Sequence, residues 1–175
     1  MLIARSSPEC HLYIELHPCT CGESELRTKH HLASSDDGLV AVYEGTCPRC
    51  GAERRFDLVL DPEIPPGDKF GGDRPSKIID AGQFLAVADA AAKAVPANTS
   101  ALDGPARQRA RWLMTRAANA IEEVLKFIPP GADRVPAEAL FTAAGKEVYL
   151  AEPGRFRKLR LEAVLGVYRD VVKEL

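Results

Sequence analysis

Two tight cysteine pairs constrain this chain more than any other feature. Cys19-Thr20-Cys21-Gly22 opens, and Cys47-Pro48-Arg49-Cys50-Gly51 closes, a segment long enough to form a β-hairpin. Four sulfurs in pairs of this spacing suit a borderline-soft ion that prefers tetrahedral thiolate coordination, which points to zinc. A glycine after each pair permits a positive-φ turn that aims backbone amides at the sulfurs. Cys19, Cys21, Cys47 and Cys50 are therefore the expected metal ligands. Four thiolates close the coordination shell, so the expected role of Zn2+ is structural and not catalytic.

The fifth cysteine, Cys10, is expected as a half-buried thiol in a strand, with substitute ligation or reactivity as the alternative. An odd cysteine count dominated by close pairs fits metal ligation in a reducing cytoplasm better than a disulfide framework. The amino terminus has no apolar core of signal-peptide length, and no run approaches the roughly 20 apolar residues of a membrane span. The expectation is a cytoplasmic protein without a membrane role. Net charge is −2, but it is unevenly spread: residues 1–66 carry −5 and residues 67–175 carry +3.

Around the cysteines the pattern is β. In residues 10–17, Leu12, Ile14 and Leu16 alternate with His11, Tyr13, Glu15 and His17, which predicts a half-buried strand. Residues 24–32 and 39–44 are further strand candidates, separated by a Ser34-Ser35-Asp36-Asp37-Gly38 turn. Residues 54–60 alternate again until Asp61-Pro62 stops them. The cysteine pairs, flanked by these strands, resemble the zinc-ribbon group of domains over roughly residues 10–60. The second pair, with Pro after its first cysteine and Gly after its second, matches that group's pattern; the first has one intervening residue where the group more often has two. The resemblance implies a fold and a metal but no activity, since zinc ribbons serve many ends.

Residues 63–76, dense in Pro and Gly, read as a linker between a 1–62 zinc-ribbon β domain and a 77–175 helical domain. The fold class expected is α+β: an N-terminal antiparallel β zinc ribbon followed by a mainly α-helical domain. Asp80, with Gln83 three residues on, marks a helix start of the capping-box kind. A longer helix is expected over 105–128 with Asp103 as its cap, a short one over 135–141, and a strand or extended link over 147–150. The final helix, over 154–175, is expected to be buried on much of its circumference. Cations crowd the first turns of two helices: Arg107, Arg109, Arg111 and Arg116 in one, Arg155, Arg157, Lys158 and Arg160 in the other. Cations at a helix N-terminus oppose the dipole, which raises the question of an anionic partner.

No nucleophile elbow, metalloprotease motif, phosphate loop or dinucleotide fingerprint occurs. All four histidines, His11, His17, His30 and His31, lie in the metal-binding region, and His17 is the nearest candidate for a substitute or supporting ligand. The sequence therefore reads as a non-enzymatic protein that docks onto another protein: an adaptor, a regulator or a toxin-neutralising immunity-type protein. Nucleic-acid binding through the arginine-rich helix starts is the alternative. The acidic balance of the first region argues against it, because counterion release calls for Lys and Arg. Oligomeric state is not legible in the sequence.

Overall fold

Alternating and β-branched residues between the first cysteine pair and Leu60 build three of the sheet's four strands, as the pattern predicts; the fourth, Ile3–Ala4, lies upstream of every expected strand and runs parallel to its neighbour. The structure, a computed structural model, describes residues 2–175 apart from Asp37, Ile64, Pro66 and Asp68. The chain divides into two compact units, Met1–Ile79 and Asp80–Leu175.

The first unit holds β1 (Ile3–Ala4), α1 (Ser7–Glu15), β2 (Arg27–Ser35), β3 (Gly38–Thr46) and β4 (Glu53–Leu60). The sheet order is β1-β4-β3-β2, with β1 parallel to β4 and the other pairs antiparallel. Ser35 pairs with Gly38 at the end of the β2–β3 ladder, so Ser34, Ser35 and Gly38 of the expected turn belong to the strands, and Asp37 lies outside the described residues. The cysteine pairs lie at the opposite end, one following α1 and one inside the β3–β4 connection.

Residues 10–17 are not a strand. They fall in α1 and its end, and the reason is written just upstream. Ser6 caps the helix by accepting from the Glu9 amide at 3.1 Å, and Pro8 sits in the first turn. Leu12 and Ile14 are buried as the alternation requires, together with Cys10, but on one broad arc of a helix, and Leu16, its C-cap residue, is half-buried. Glu9 is fully buried and turns its carboxylate to the Arg5 amide (2.6 Å) and guanidinium (2.6 Å). After β4 the chain stays with the first unit: Phe70, Ile78 and Ile79 are buried, and Ser6 Oγ donates to the Phe70 carbonyl at 2.6 Å.

The second unit is α-helical: α2 (Ala81–Lys93), α3 (Gly104–Lys126), a 3₁₀ turn (Ala137–Ala139), α4 (Ala143–Ala151), another (Pro153–Phe156) and α5 (Lys158–Glu174). α2 packs on α3 and α4, and α3 on α5. Among the described residues the molecule thus has a four-stranded mixed sheet and five α-helices, an α+β fold. Asp80 caps α2 in a full capping box, accepting from Gln83 N at 2.8 Å while Gln83 Oε1 accepts from Asp80 N at 3.1 Å. Asp103 occupies the capping position of α3 but its side chain makes no capping bond. Residues 147–150 lie in α4 and not in a strand, because Thr142 caps a helix there, accepting from Gly145 N at 3.0 Å. α5 is less buried than its apolar content predicts. Leu161 and Leu165 are its buried residues, while Leu159 and Val167 stand 81% and 61% exposed.

Candidate metal centre

Each cysteine pair sits on a turn closed by backbone hydrogen bonds. In the first, Gly22 N donates to Cys19 O (2.7 Å) and Cys19 N to Glu23 O (2.8 Å). In the second, Gly51 N donates to Cys47 O (2.9 Å) and Cys47 N to Ala52 O (2.9 Å). The one-residue difference in cysteine spacing is absorbed by closing the first turn one residue earlier. Gly22 and Gly51 both adopt positive φ, +85° and +75°, the conformation that makes these turns possible without Cβ strain.

The two turns bring all four sulfurs together. Their Sγ atoms lie within 4.8 Å of one another, with Cys19 to Cys50 at 3.5 Å and Cys21 to Cys47 at 3.6 Å. Four sulfurs at about 2.3 Å from a tetrahedral zinc would be separated by about 3.8 Å, so the set has the dimensions of a thiolate cage. None of the four is in a disulfide. The Cys21 amide directed at its sulfur holds the Cys19 thiol down at about 6. At Cys50 the Ala52 amide acts the same way, but hydrogen bonds with Cys19, Cys21 and Cys47 outweigh it and push that thiol up to about 12. Four thiolates this close repel one another, and a bound cation is what allows all of them to ionise.

Three arginines near the cysteine turns, Arg49, Arg54 and Arg55, are spent on the architecture around the centre. Arg49 donates to the Cys21 carbonyl at 3.2 Å and so ties the second turn to the first. Arg54 donates to the His17 carbonyl, and its guanidinium lies 5.1 Å over the Phe56 ring. Arg55 bridges Glu44 (2.6 Å) and Asp57 (2.9 Å) on the strands. Sequence reasoning missed the bracing roles of Arg49 and Arg54, for which position inside or beside a cysteine turn was the available signal.

His17 stands outside the sulfur set. Its Nδ1–H donates to the Tyr13 carbonyl at 2.7 Å and its ring lies against Tyr13, 4.0 Å between centroids. His11 and His30 both contact the Tyr43 ring, at 5.3 and 5.6 Å. Cys10 is also separate from the centre. It is buried in α1, and burial pushes its thiol up to about 11. A thiol so held is neutral and a poor nucleophile or ligand.

Three of the four cations around the start of α5 find partners inside the second unit. Arg155 binds Asp89 at 2.7 Å, Arg160 binds Glu152 at 2.7 Å, and Lys158 reaches Glu162 at 4.0 Å. In α3, Arg107 donates to the Leu102 and Glu174 carbonyls, both at 3.2 Å. Among the described residues no helix is long and apolar enough to cross a membrane. No protein-family model, curated protein or solved structure matches this chain.

Proposed function

We propose that Cys19, Cys21, Cys47 and Cys50 hold a structural Zn2+, and that this zinc-stapled unit lets the protein dock onto another protein, with no catalytic role for the metal. The observation that carries this reading is the closed sulfur set: four Sγ atoms within 4.8 Å leave a tetrahedral ion no vacant position for substrate or water. An ion so held joins the segment after α1 to the β3–β4 connection, which stiffens one end of the sheet. In this reading the zinc sets shape and the strands make the contact. The protein acts in the cytoplasm as an adaptor, a regulator or a toxin-neutralising immunity-type protein, stoichiometric with its target.

A second reading, nucleic-acid binding, is favoured by one observation on α3. Trp112 is 54% exposed, with the Arg116 guanidinium 5.7 Å from its ring and Arg109 exposed three residues earlier. An aromatic face beside cations suits base stacking and phosphate contact. Against it, the arginines near the metal centre, and Arg155 and Arg160 around the start of α5, are engaged within the protein. Affinity capture from native lysate, with and without nuclease, separates the readings. Protein docking predicts a stoichiometric protein that survives nuclease and moderate salt. Recovery of nucleic acid, or of proteins that vanish with nuclease, would favour the nucleic-acid reading instead.

A further inference from the structure

The sheet ends on β2, a nine-residue strand whose outer edge pairs with no other strand among the described residues, and seven of its nine residues are exposed. Every second residue of an edge strand points its N–H and C=O away from the sheet, and such a row templates the addition of another strand. The side chains decide which strand. β2 reads Arg27-Thr28-Lys29-His30-His31-Leu32-Ala33-Ser34-Ser35 and contains no carboxylate. Arg27, Lys29 and His31 share one face; Thr28, His30 and Leu32 share the other. The cross-strand neighbour of Lys29 is Glu44, but that carboxylate is held by Arg55 at 2.6 Å. Arg27 and Lys29 consequently have no ion-pair partner among the described residues.

We propose that the β2 edge accepts an extended acidic segment of a partner protein as a fifth strand, its Asp or Glu side chains alternating with β-branched residues. Backbone hydrogen bonds would supply register-independent affinity, and cross-strand pairs the selectivity. Acidic side chains of the added strand face Arg27, Lys29 and His31. Its β-branched side chains cover Thr28 and Leu32, of which Leu32 is 55% exposed. Charge complementarity also selects against a second copy of this chain. Two β2 edges paired with each other would gather two sets of Arg27, Lys29 and His31 in one patch, without a carboxylate on either strand to neutralise them.

This inference rests on the protein-docking reading, but the two fail separately. The test titrates full-length, zinc-loaded protein into a fluorescent peptide of alternating Glu and Val, followed by anisotropy. Companion peptides carry Lys in place of Glu, or N-methyl groups on one or the other alternate set of amides. Saturable binding is expected for the Glu peptide, about tenfold weaker for the Lys peptide and for the exposed-site variant Lys29→Glu. N-methylation should abolish binding in one phase and spare it in the other, since only one set of amides faces the edge. Absence of saturable binding, equal binding of the Glu and Lys peptides, or indifference to the phase of methylation overturns the proposal. So does sedimentation of the free protein as a dimer whose strength Lys29→Glu changes. A lysate capture that yields nucleic acid would remove the docking reading instead, whatever the peptides do.

Discussion

Cys10 and Tyr43 meet inside the first unit, one from α1 and one from β3, and both are kept neutral by burial. Cys10 is raised to about 11 and Tyr43 to about 12, with burial the largest cause in each. Groups whose pKa is higher in the folded state contribute stability that is complete below their unfolded values and is lost as pH rises through the folded ones. The unfolded values are 9.0 and 10.0, so the window for this pair runs from about 9 to about 12. The contribution of this pair to the urea unfolding free energy of the first unit should be level up to about pH 9 and then decline through about pH 12. The Cys10 part of that decline should be about 3 kcal/mol. Cys10→Ala should be less stable at neutral pH, for loss of packing, yet show a shallower alkaline decline. An unchanged slope in that variant would mean that Cys10 does not titrate on unfolding. The sequence marked Cys10 as the odd cysteine, but its neighbour Tyr43, a distant residue in the chain, could not be read from it.

Between α2 and α4 the backbones approach so closely that glycine is the residue that fits. A Cβ on Gly82 would lie 2.2 Å from the Gly145 carbonyl oxygen, and a Cβ on Gly145 would lie 2.0 Å from Asp80 Oδ1. Asp80 joins the two helices: besides capping α2 it accepts from Thr142 N at 2.7 Å and Thr142 Oγ1 at 2.6 Å. The neighbour of Gly82 is backbone, which cannot swing aside, so Gly82→Ala should destabilise the second unit by about 1–3 kcal/mol despite its better helix propensity. The urea midpoint of the helical signal is the check. A midpoint equal to or above the parent's would show that the helices can separate at no cost. Half of this arrangement was legible in advance, because Asp80 and Gln83 carry a local capping signature. The α4 half was not: Val148-Tyr149-Leu150 is a short apolar run that suits strand or helix, and the deciding residue, Thr142, lies upstream of it. α1 was misread for the same reason. Alternation in residues 10–17 outweighed the Ser6, Pro8 and Glu9 signals that start a helix. Paired cysteines were legible because metal ligation is set by spacing and residue type, whereas helix–helix contact depends on residues far apart in sequence.

At the scale of the whole chain, the two units draw on different sources of order. Asp80–Leu175 contains helices whose apolar faces meet, with Ala91, Ala110, Met114 and Ala117 buried together. The metal-centre end of Met1–Ile79 has little apolar material of its own, and Thr20, Pro48, Arg49 and Cys50 around the sulfurs are exposed. A metal can supply about 10 kcal/mol to such a site, which is folding free energy because the unfolded chain has no preformed cage. Replacing Cys47 and Cys50 with Ser should therefore release the zinc, lower its content from one per chain to near zero, and melt the sheet. The far-UV signal of the helices should persist, because none of the buried contacts within Asp80–Leu175 involves the metal. Elemental analysis with circular dichroism and amide exchange reads both outcomes. Metal and exchange protection retained by the double variant would sink the ligand assignment. Loss of the helical signal together with the sheet would show that the second unit's fold depends on the first.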